Sequence, residues 1–329
     1  MTTALIVHGG AGTWRPGSDA DALASTTKAV ALGRAILQAG GSALDAAIAA
    51  AVALEDDPIF NAGTGGVLNY DGFVEFDACV MLATPSSGAT RPKPPKIGAV
   101  SALQRVKNPI LIAREVMEKT DHVMLAGEGA QRFARALGHA DYDPITVARR
   151  DDWAAKKALL DDANTVNNGS GSLKMREFIR KHPDYAGGTI GAVALDNNGM
   201  LCACTSTGGV TMKLVGRVGD TSMPGCGTYA TPLAAISATG TGEFVIRALA
   251  ARQIADNVAA GLSLKAATDA VLDDLVTDFD ADVGFIGIDA SGNAVGAHRT
   301  AHMPHAWFSG SGDIVALMRQ ERASAQLKI

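Results

Sequence analysis

Gly188-Thr189-Ile190-Gly191 stands where a polar, breaker-rich stretch gives way to a sharply patterned β-hairpin. Residues 161–188 read as a flexible tether, with linker character from about residue 150. The segment TIGAVALDNNGMLCACTSTGG then reads as two strands around Asn197-Asn198-Gly199. Strands this apolar need neighbours on both sides, so the tether is a processing linker and not a domain boundary. A threonine that opens a buried strand just after a tether is where a chain can cut itself. The new N-terminus would carry a hydroxyl nucleophile and an amine able to act as its base. Alone, Gly-Gly-Thr is an ordinary turn before a strand, and further signals are needed to decide.

Length and charge narrow the field. A chain of 329 residues holds one large or two ordinary domains and buries a sizeable core. With 47% hydrophobic and 19% charged residues it is neither disordered nor strongly solvated. A net charge of −5 without a basic stripe argues against nucleic acid as a partner. No apolar run reaches the roughly 18–20 residues of a spanning helix, so no membrane partner is expected. MTTALIVHGG is too short and uncharged for a secretory signal, which makes the cytoplasm the expected compartment. Of four cysteines, Cys202 and Cys204 alternate along one strand, and with Cys79 and Cys226 they read as small buried residues. They form neither a zinc set nor a disulfide framework.

The order of elements points to α+β. Ala4–Val7 reads as a short buried strand, Asp21–Ala39 as a helix ending at Gly40-Gly41, and Ser42-Ala43-Leu44-Asp45 as the cap of a second helix ending near Pro58. Strands are expected at Phe73–Leu82 and Ile97–Leu103, and helices at about Pro109–Lys119 and His122–Leu137. After the Thr189 hairpin come helices from Gly242 to about Asn257 and from Ser263 to about Val276, then a hairpin of Val283–Asp289 and Asn293–His298. In the helix after Gly242, Ile246, Leu249, Ala250 and Ile254 are expected on one face. Strand pairs, helix pairs and strand pairs again favour antiparallel sheets covered by helices over an alternating parallel series.

Downstream motifs add chemistry. Thr205-Ser206-Thr207-Gly208-Gly209 closes the hairpin, which puts Thr207 across from Thr189. Its hydroxyl can hold the Thr189 oxygen in place, or Thr207 is simply a β-branched strand residue. In Gly216-Arg217-Val218-Gly219-Asp220, a planar cation and an anion suit the carboxylate and ammonium of an amino acid. A self-paired surface ion pair is the commoner fate of that spacing. Ser237-Ala238-Thr239-Gly240-Thr241-Gly242-Glu243 runs into a helix, whose N–H groups with a threonine hydroxyl suit an oxyanion. A plain helix cap is the alternative there, and the Gly-Lys-Ser/Thr mark of a phosphate loop is missing. His8-Gly9-Gly10-Ala11-Gly12 lacks dinucleotide-loop spacing, and His8 receives no proton-transfer role.

In order, spacing and identity these motifs resemble the plant-type L-asparaginase/isoaspartyl aminopeptidase family of N-terminal-nucleophile hydrolases, over nearly the whole chain. The resemblance implies a four-layer αββα sandwich. It makes residues 1–329 a single domain cut at Gly188–Thr189 into subunits 1–188 and 189–329, paired as (αβ)2. It implies Thr189 as nucleophile, Thr207 as its support, and Thr239 and Gly240 as the oxyanion hole. Substrate contacts fall on Arg217, Val218, Gly219, Asp220, Thr239, Gly240, Thr241 and Gly242. The implied substrates are asparagine and β-aspartyl dipeptides, with no organic cofactor. Leu54–Thr64 resembles a sodium loop, with main-chain carbonyls of Leu54, Glu55, Asp57, Phe60, Ala62 and Thr64 as ligands.

The chain departs from the family pattern at Met212-Lys213 and at Thr221-Ser222-Met223-Pro224-Gly225-Cys226-Gly227, which bear on the pocket wall and substrate preference. Two rivals stand beside this reading. A glycosylasparaginase commonly has aspartate before its threonine, whereas here Gly188 precedes it. The other rival is a catalytically inert amino-acid-binding protein that uses Arg217 and Asp220.

Overall fold

The structure, a computed structural model, describes residues 2–85, 93–162 and 188–319. Its first half runs β1 (Ala4–His8), α1 (Asp19–Gln38), α2 (Ala43–Glu55), β2 (Phe76–Ala83), β3 (Lys96–Leu103), α3 (Pro109–Lys119), β4 (Met124–Ala126), α4 (Gly127–Ala136) and α5 (Val147–Asp162). The second half runs β5 (Ile190–Leu195), β6 (Leu201–Thr207), β7 (Thr228–Ala230), β8 (Ala234–Gly240), α6 (Gly242–Ala248), α7 (Ala250–Ala259), α8 (Leu264–Phe279), β9 (Val283–Asp289), β10 (Ala294–His298), β11 (His305–Ser309) and β12 (Val315–Leu317).

Strand alternation builds the layers. In β1, Leu5 and Val7 face a core shared with α1 and α2, while Ala4 and Ile6 face the opposite way. In β5, Ala192 and Ala194 take the helix side and Val193 and Leu195 the other. Both faces of these strands are buried, which is why their sequences read as nearly continuous apolar runs. Each fully buried Ile, Leu or Val stabilises the fold by about 1.5–3 kcal/mol relative to exposure. The large sheet has the order β12-β11-β1-β5-β6-β2-β3-β4, and a four-stranded sheet has the order β10-β9-β8-β7. Between the sheets Ile6, Met81, Val193 and Leu201 meet Ile286 and Ile288. On the far side of the small sheet, Ile236, Val283 and Phe285 pack with Ile254, Val271 and Leu272 of α7 and α8. Helices, sheet, sheet and helices make the four-layer αββα sandwich.

Strands of the large sheet come from both sides of the tether: β1 pairs with β5, and β6 pairs with β2, all antiparallel. The β3–β4 pair is parallel. Cys202 and Cys204 face the same side, their sulfurs 3.9 Å apart, and all four cysteines are free and buried.

Local expectations fail where tertiary contacts cut across a helical pattern. The helix expected over His122–Leu137 starts only at Gly127, because residues 124–126 add a short strand beside β3. The helix expected from Gly242 to about Asn257 is two helices, broken at Leu249 with φ of 49°. That break rotates the apolar face, leaving Leu249 exposed while Ala250 and Ile254 are buried. The second helix stops at Glu55, short of Pro58, and β2 begins at Phe76 rather than Phe73. Linker character does not begin at about residue 150, since the Ala- and Lys-rich run there continues α5 to Asp162. The tether itself lies outside the described residues up to Gly188.

Candidate active site

The β5–β6 register fixes the place of Thr189. Ile190 pairs with Ser206, which sets Thr189 opposite Thr207 at the open end of the hairpin. Thr189 Oγ1 donates to Thr207 Oγ1 at 3.1 Å, and Thr207 Oγ1 also accepts the Gly209 N–H at 3.0 Å. Asn61 holds this turn from beneath: its carbonyl accepts from Gly208 N at 2.9 Å, and its Nδ2 donates to the Gly209 carbonyl at 2.7 Å. Gly188 and Thr189 are half-buried. Gly10 has φ of 107°, and a Cβ there would overlap the Gly188 main chain, so only glycine lets that strand end approach the Gly188–Thr189 bond.

Behind Thr189 runs a buried file of polar groups between the sheets. His8 Nε2 and Ser237 Oγ are hydrogen-bond partners at 3.1 Å, and Ser237 Oγ and Thr205 Oγ1 at 2.8 Å. Thr228 Oγ1 donates to Thr205 Oγ1 at 2.7 Å and lies 2.9 Å from the Thr221 carbonyl. Burial pushes the His8 imidazole down to about 3, reinforced by His305, while the Thr189 carbonyl beside it works the other way. His8 is therefore neutral at physiological pH and acts as a fixed hydrogen-bonding group.

Arg217, Val218, Gly219 and Asp220 form the turn facing this end. Asp77 ties the turn to the hairpin: it pairs with Thr207 across β2 and β6, and its Oδ2 accepts from Gly219 N at 2.8 Å. Asp77 Oδ1 accepts from Ala102 N at 3.0 Å. Asp220 is buried and its Oδ2 has no hydrogen-bond partner among the described residues. Burial pushes the Asp220 carboxyl up to about 7, against the pull of the Arg217 guanidinium. Arg217 does not pair with Asp220. Its Nε donates to Glu243 Oε1 and its Nη2 to Glu243 Oε2, both at 2.9 Å. Burial works against the Arg217 charge, but Glu243 and Asp220 outweigh it and hold its pKa above the ordinary value.

The 239–242 loop closes the site from the small sheet. Thr239 Oγ1 accepts from Ala11 N at 3.0 Å, which leaves its own proton to donate. Gly240 has φ of 126° and packs on the Asp282 main chain, where the Thr241 N–H donates to the Asp282 carbonyl at 2.9 Å. Gly242 is buried, opening the short α6. Gly188 packs against residues 10 and 11, and Ala11 bonds Thr239, so Gly188, first-strand loop and 239–242 loop are in one contact chain.

The expected cation loop is a compact turn. Glu55 O accepts from Thr64 N at 2.8 Å and Asp57 O from Phe60 N at 3.2 Å, folding residues 60–64 back onto the end of α2. Arg149 of α5 already puts a positive charge here, its Nη2 3.2 Å from the Phe60 carbonyl and its Nε 2.6 Å from the Gly65 carbonyl. Hard carbonyl oxygens with a second lone pair suit an alkali cation, and a backbone donor set does not depend on side-chain type. By chemical type the carbonyls suit the ion, while the Arg149 guanidinium at the Phe60 carbonyl opposes a second cation there. Among the described residues no cluster of His, Cys, Asp or Glu is arranged to hold a metal.

Several side-chain roles in the site escape the motif reading. Asp77 had a signal, a lone acid in an otherwise apolar strand. Glu55 is a buried acid whose Oε1 accepts from Ser206 Oγ at 2.6 Å and Ile110 N at 3.0 Å, and whose carboxyl burial pushes up to about 8. Asn61, Ser237 and the Glu243–Arg217 pairing had none, because their partners are distant in sequence.

A model of the asparaginase family matches residues 1–316. The chain is 45% identical over 307 residues to the plant-type L-asparaginase of Pyrococcus abyssi, covering 93% of this chain and 96% of that one. It is 38% identical over 326 residues to the isoaspartyl peptidase of Escherichia coli, covering 96% of each. It is 38% identical over 296 residues to the isoaspartyl peptidase/L-asparaginase of Danio rerio, covering 89% and 87%.

Proposed function

The chain belongs to the asparaginase family, and from that premise we propose a self-cleaving threonine amidohydrolase that converts L-asparagine to aspartate and ammonia and hydrolyses β-aspartyl peptides. The observation that carries this reading is the Thr189–Thr207 hydroxyl pair at a strand end, tied through Asp77 to the turn of Asp220, whose buried Oδ2 has no hydrogen-bond partner among the described residues.

In the first event Thr189 Oγ attacks the Gly188 carbonyl carbon, the acyl group moves from nitrogen to oxygen, and water hydrolyses the ester. This leaves subunits 1–188 and 189–329 and a free α-amine on Thr189. That amine, with a reference pKa of about 7.7–8, accepts the hydroxyl proton near neutral pH. In turnover the oxygen attacks the side-chain carbonyl of the substrate, while Thr207 keeps it in its attacking rotamer. The Thr239 hydroxyl and the Gly240 backbone face the developing oxyanion. The leaving nitrogen takes a proton and departs as ammonia or an amino acid, and water then releases aspartate. Arg217 grips the α-carboxylate and Asp220 the α-ammonium, groups common to asparagine and β-aspartyl peptides, while Val218, Gly219, Thr241 and Gly242 line the same pocket.

A sodium ion on the carbonyls of Leu54, Glu55, Asp57, Phe60, Ala62 and Thr64 would brace the turn that carries Asn61, and through it Gly208 and Gly209. It takes no part in a chemical step, and no organic cofactor is required. We further propose an (αβ)2 assembly acting in the cytoplasm, a reducing compartment that suits four free thiols. Among the described residues no helix is long and apolar enough to cross a membrane.

Intact mass spectrometry and N-terminal sequencing test the proposal. The smaller chain is expected to start TIGAV, and Thr189→Ala is expected to remain one chain without amidase activity. Cleavage or activity in Thr189→Ala would overturn it.

A further inference from the structure

Arginine has two edges that grip a carboxylate with paired hydrogen bonds, the side edge of Nε with one Nη and the end edge of Nη1 with Nη2. In the structure Glu243 fills the side edge of Arg217, with both contacts at 2.9 Å. An exposed ion pair contributes little, and the Glu243 side chain is 56% exposed. The Arg217 side chain is only 16% exposed, however, and the two bonds fix both position and roll of the guanidinium plane. What remains is the end edge. Its Nη1 lies against Gly219, and its Nη2 lies 3.0 Å from where a Cβ on Gly242 would stand. Asp220 Oδ1 lies 2.6 Å from that same point. The missing side chain of Gly242 thus marks where the free guanidinium edge and the Asp220 carboxylate converge. A Cβ at position 242 would collide with Asp220 Oδ1, so glycine is what lets the guanidinium end and the carboxylate come together there.

We infer that Glu243 is a positioning residue: it locks Arg217 by its side edge so that the end edge, next to Asp220, is presented to the α-carboxylate of the substrate. The inference rests on the amidohydrolase reading above and adds what sets its affinity for the amino-acid end. Glu243 touches neither the substrate nor the reacting carbonyl, so its contribution is to ground-state and transition-state binding alike. Such a contribution appears in KM with kcat nearly unchanged. A competitor would act in the opposite direction: if Glu243 had to be displaced from Arg217 by the substrate, removing it would lower KM.

The test compares wild type with Glu243→Gln, Glu243→Ala and Glu243→Asp. Steady-state kinetics on L-asparagine and titration calorimetry with L-aspartate are run on the cleaved proteins. Glu243→Ala and Glu243→Gln are expected to raise KM and the Kd for L-aspartate together by roughly tenfold, the scale of a lost charged hydrogen bond. Their kcat should stay within about threefold of wild type, cleavage should proceed, and Glu243→Asp should recover part of the affinity. A lowered KM would identify a competitor and overturn the inference, and unchanged KM and Kd would reduce the pair to a surface contact. Loss of kcat and cleavage in every variant, Glu243→Asp included, would make the residue structural and overturn it too. The calorimetric arm needs no turnover, so a wild type inactive on asparagine and β-aspartyl peptides would sink the parent reading while this one is still judged by L-aspartate affinity.

Discussion

Around Thr189 the hydroxyls find their partners inside the protein: Thr189 with Thr207, Thr207 with Gly209, Ser237 with His8 and Thr205, and Thr205 with Thr228. Around Arg217 hydrogen-bonding capacity is left over. Among the described residues one oxygen of Asp220 has no partner, and Glu243 occupies only one edge of the guanidinium. A buried unpaired polar atom costs about 1–3 kcal/mol. That cost is tolerable where a ligand removes it, and at the nucleophile it would only blur a geometry that must be held to fractions of an ångström. The nucleophile end is thus a finished frame and the Arg217–Asp220 turn an open socket. Glu55 complicates the division, since it lies under the hairpin with its own Oε2 unpartnered.

The comparison breaks if the frame proves dispensable. Thr207→Ala should lower kcat by about 10²–10³, comparable to loss of one oriented donor at a catalytic oxygen, with a smaller change in KM; Thr207→Ser should recover much of it. Steady-state kinetics on L-asparagine decide the matter, and a Thr207→Ala enzyme with near-normal kcat would dissolve the frame.

Asp220→Asn tests the socket. Removing the anion should raise KM by roughly 30-fold or more, the scale of truncating one member of a buried charge pair. The same substitution carries a pH signature. With its carboxyl near 7, Asp220 is anionic above that value and protonated as pH falls through it. The acid limb of kcat/KM in the wild type should lose one proton dependence in Asp220→Asn, and a pH profile unchanged by the substitution would exclude Asp220 as the ammonium acceptor.

Ser237→Ala opens the hydroxyl file and leaves His8 and Thr205 short of a partner. A loss of about 1–3 kcal/mol in unfolding free energy is expected, read by denaturant titration, with L-aspartate affinity unaltered. If affinity falls while stability holds, frame and socket are not separate.

A pH-dependent effect is expected at Glu55. Its folded pKa is raised from 4.5 to about 8, so the folded protein holds a proton that the unfolded chain releases. Its stabilisation is fully present below pH 4.5 and is lost as pH rises towards 8, at up to about 1.4 kcal/mol per pH unit. Glu55→Gln should therefore gain on wild type steadily between pH 5 and 8. Parallel stability curves over that range would show that Glu55 is charged in the folded state.

Much of the frame was legible in the sequence. The 189–207 hairpin with its Asn-Asn-Gly turn fixes which residue opens one strand and which closes the next, and β-pairing does the rest, because a period of two leaves one register for a buried strand. The socket was legible as residue types, an arginine and an aspartate between glycines, but its wiring was not. The spacing suggested Arg217 either self-paired with Asp220 or open to ligand, whereas the structure gives Arg217 to Glu243, 26 residues along the chain. The helix broken at Leu249 and the strand at 124–126 follow the same rule, since in both places long-range packing overrides a locally helical pattern.

Sequence by itself thus determined the α+β layering, the strand end at which Thr189 stands, and the residue types proposed to meet a zwitterionic substrate. All of these rest on periodicity and on side-chain chemistry, which are local. Only the tertiary structure decided which of those charges are satisfied and which are kept waiting, that His8 is a neutral post in a file of hydroxyls, and that Arg217 and Asp220 both meet the main chain at Gly242. Burial and partnership are properties of the whole packed chain, and no short stretch of sequence records them.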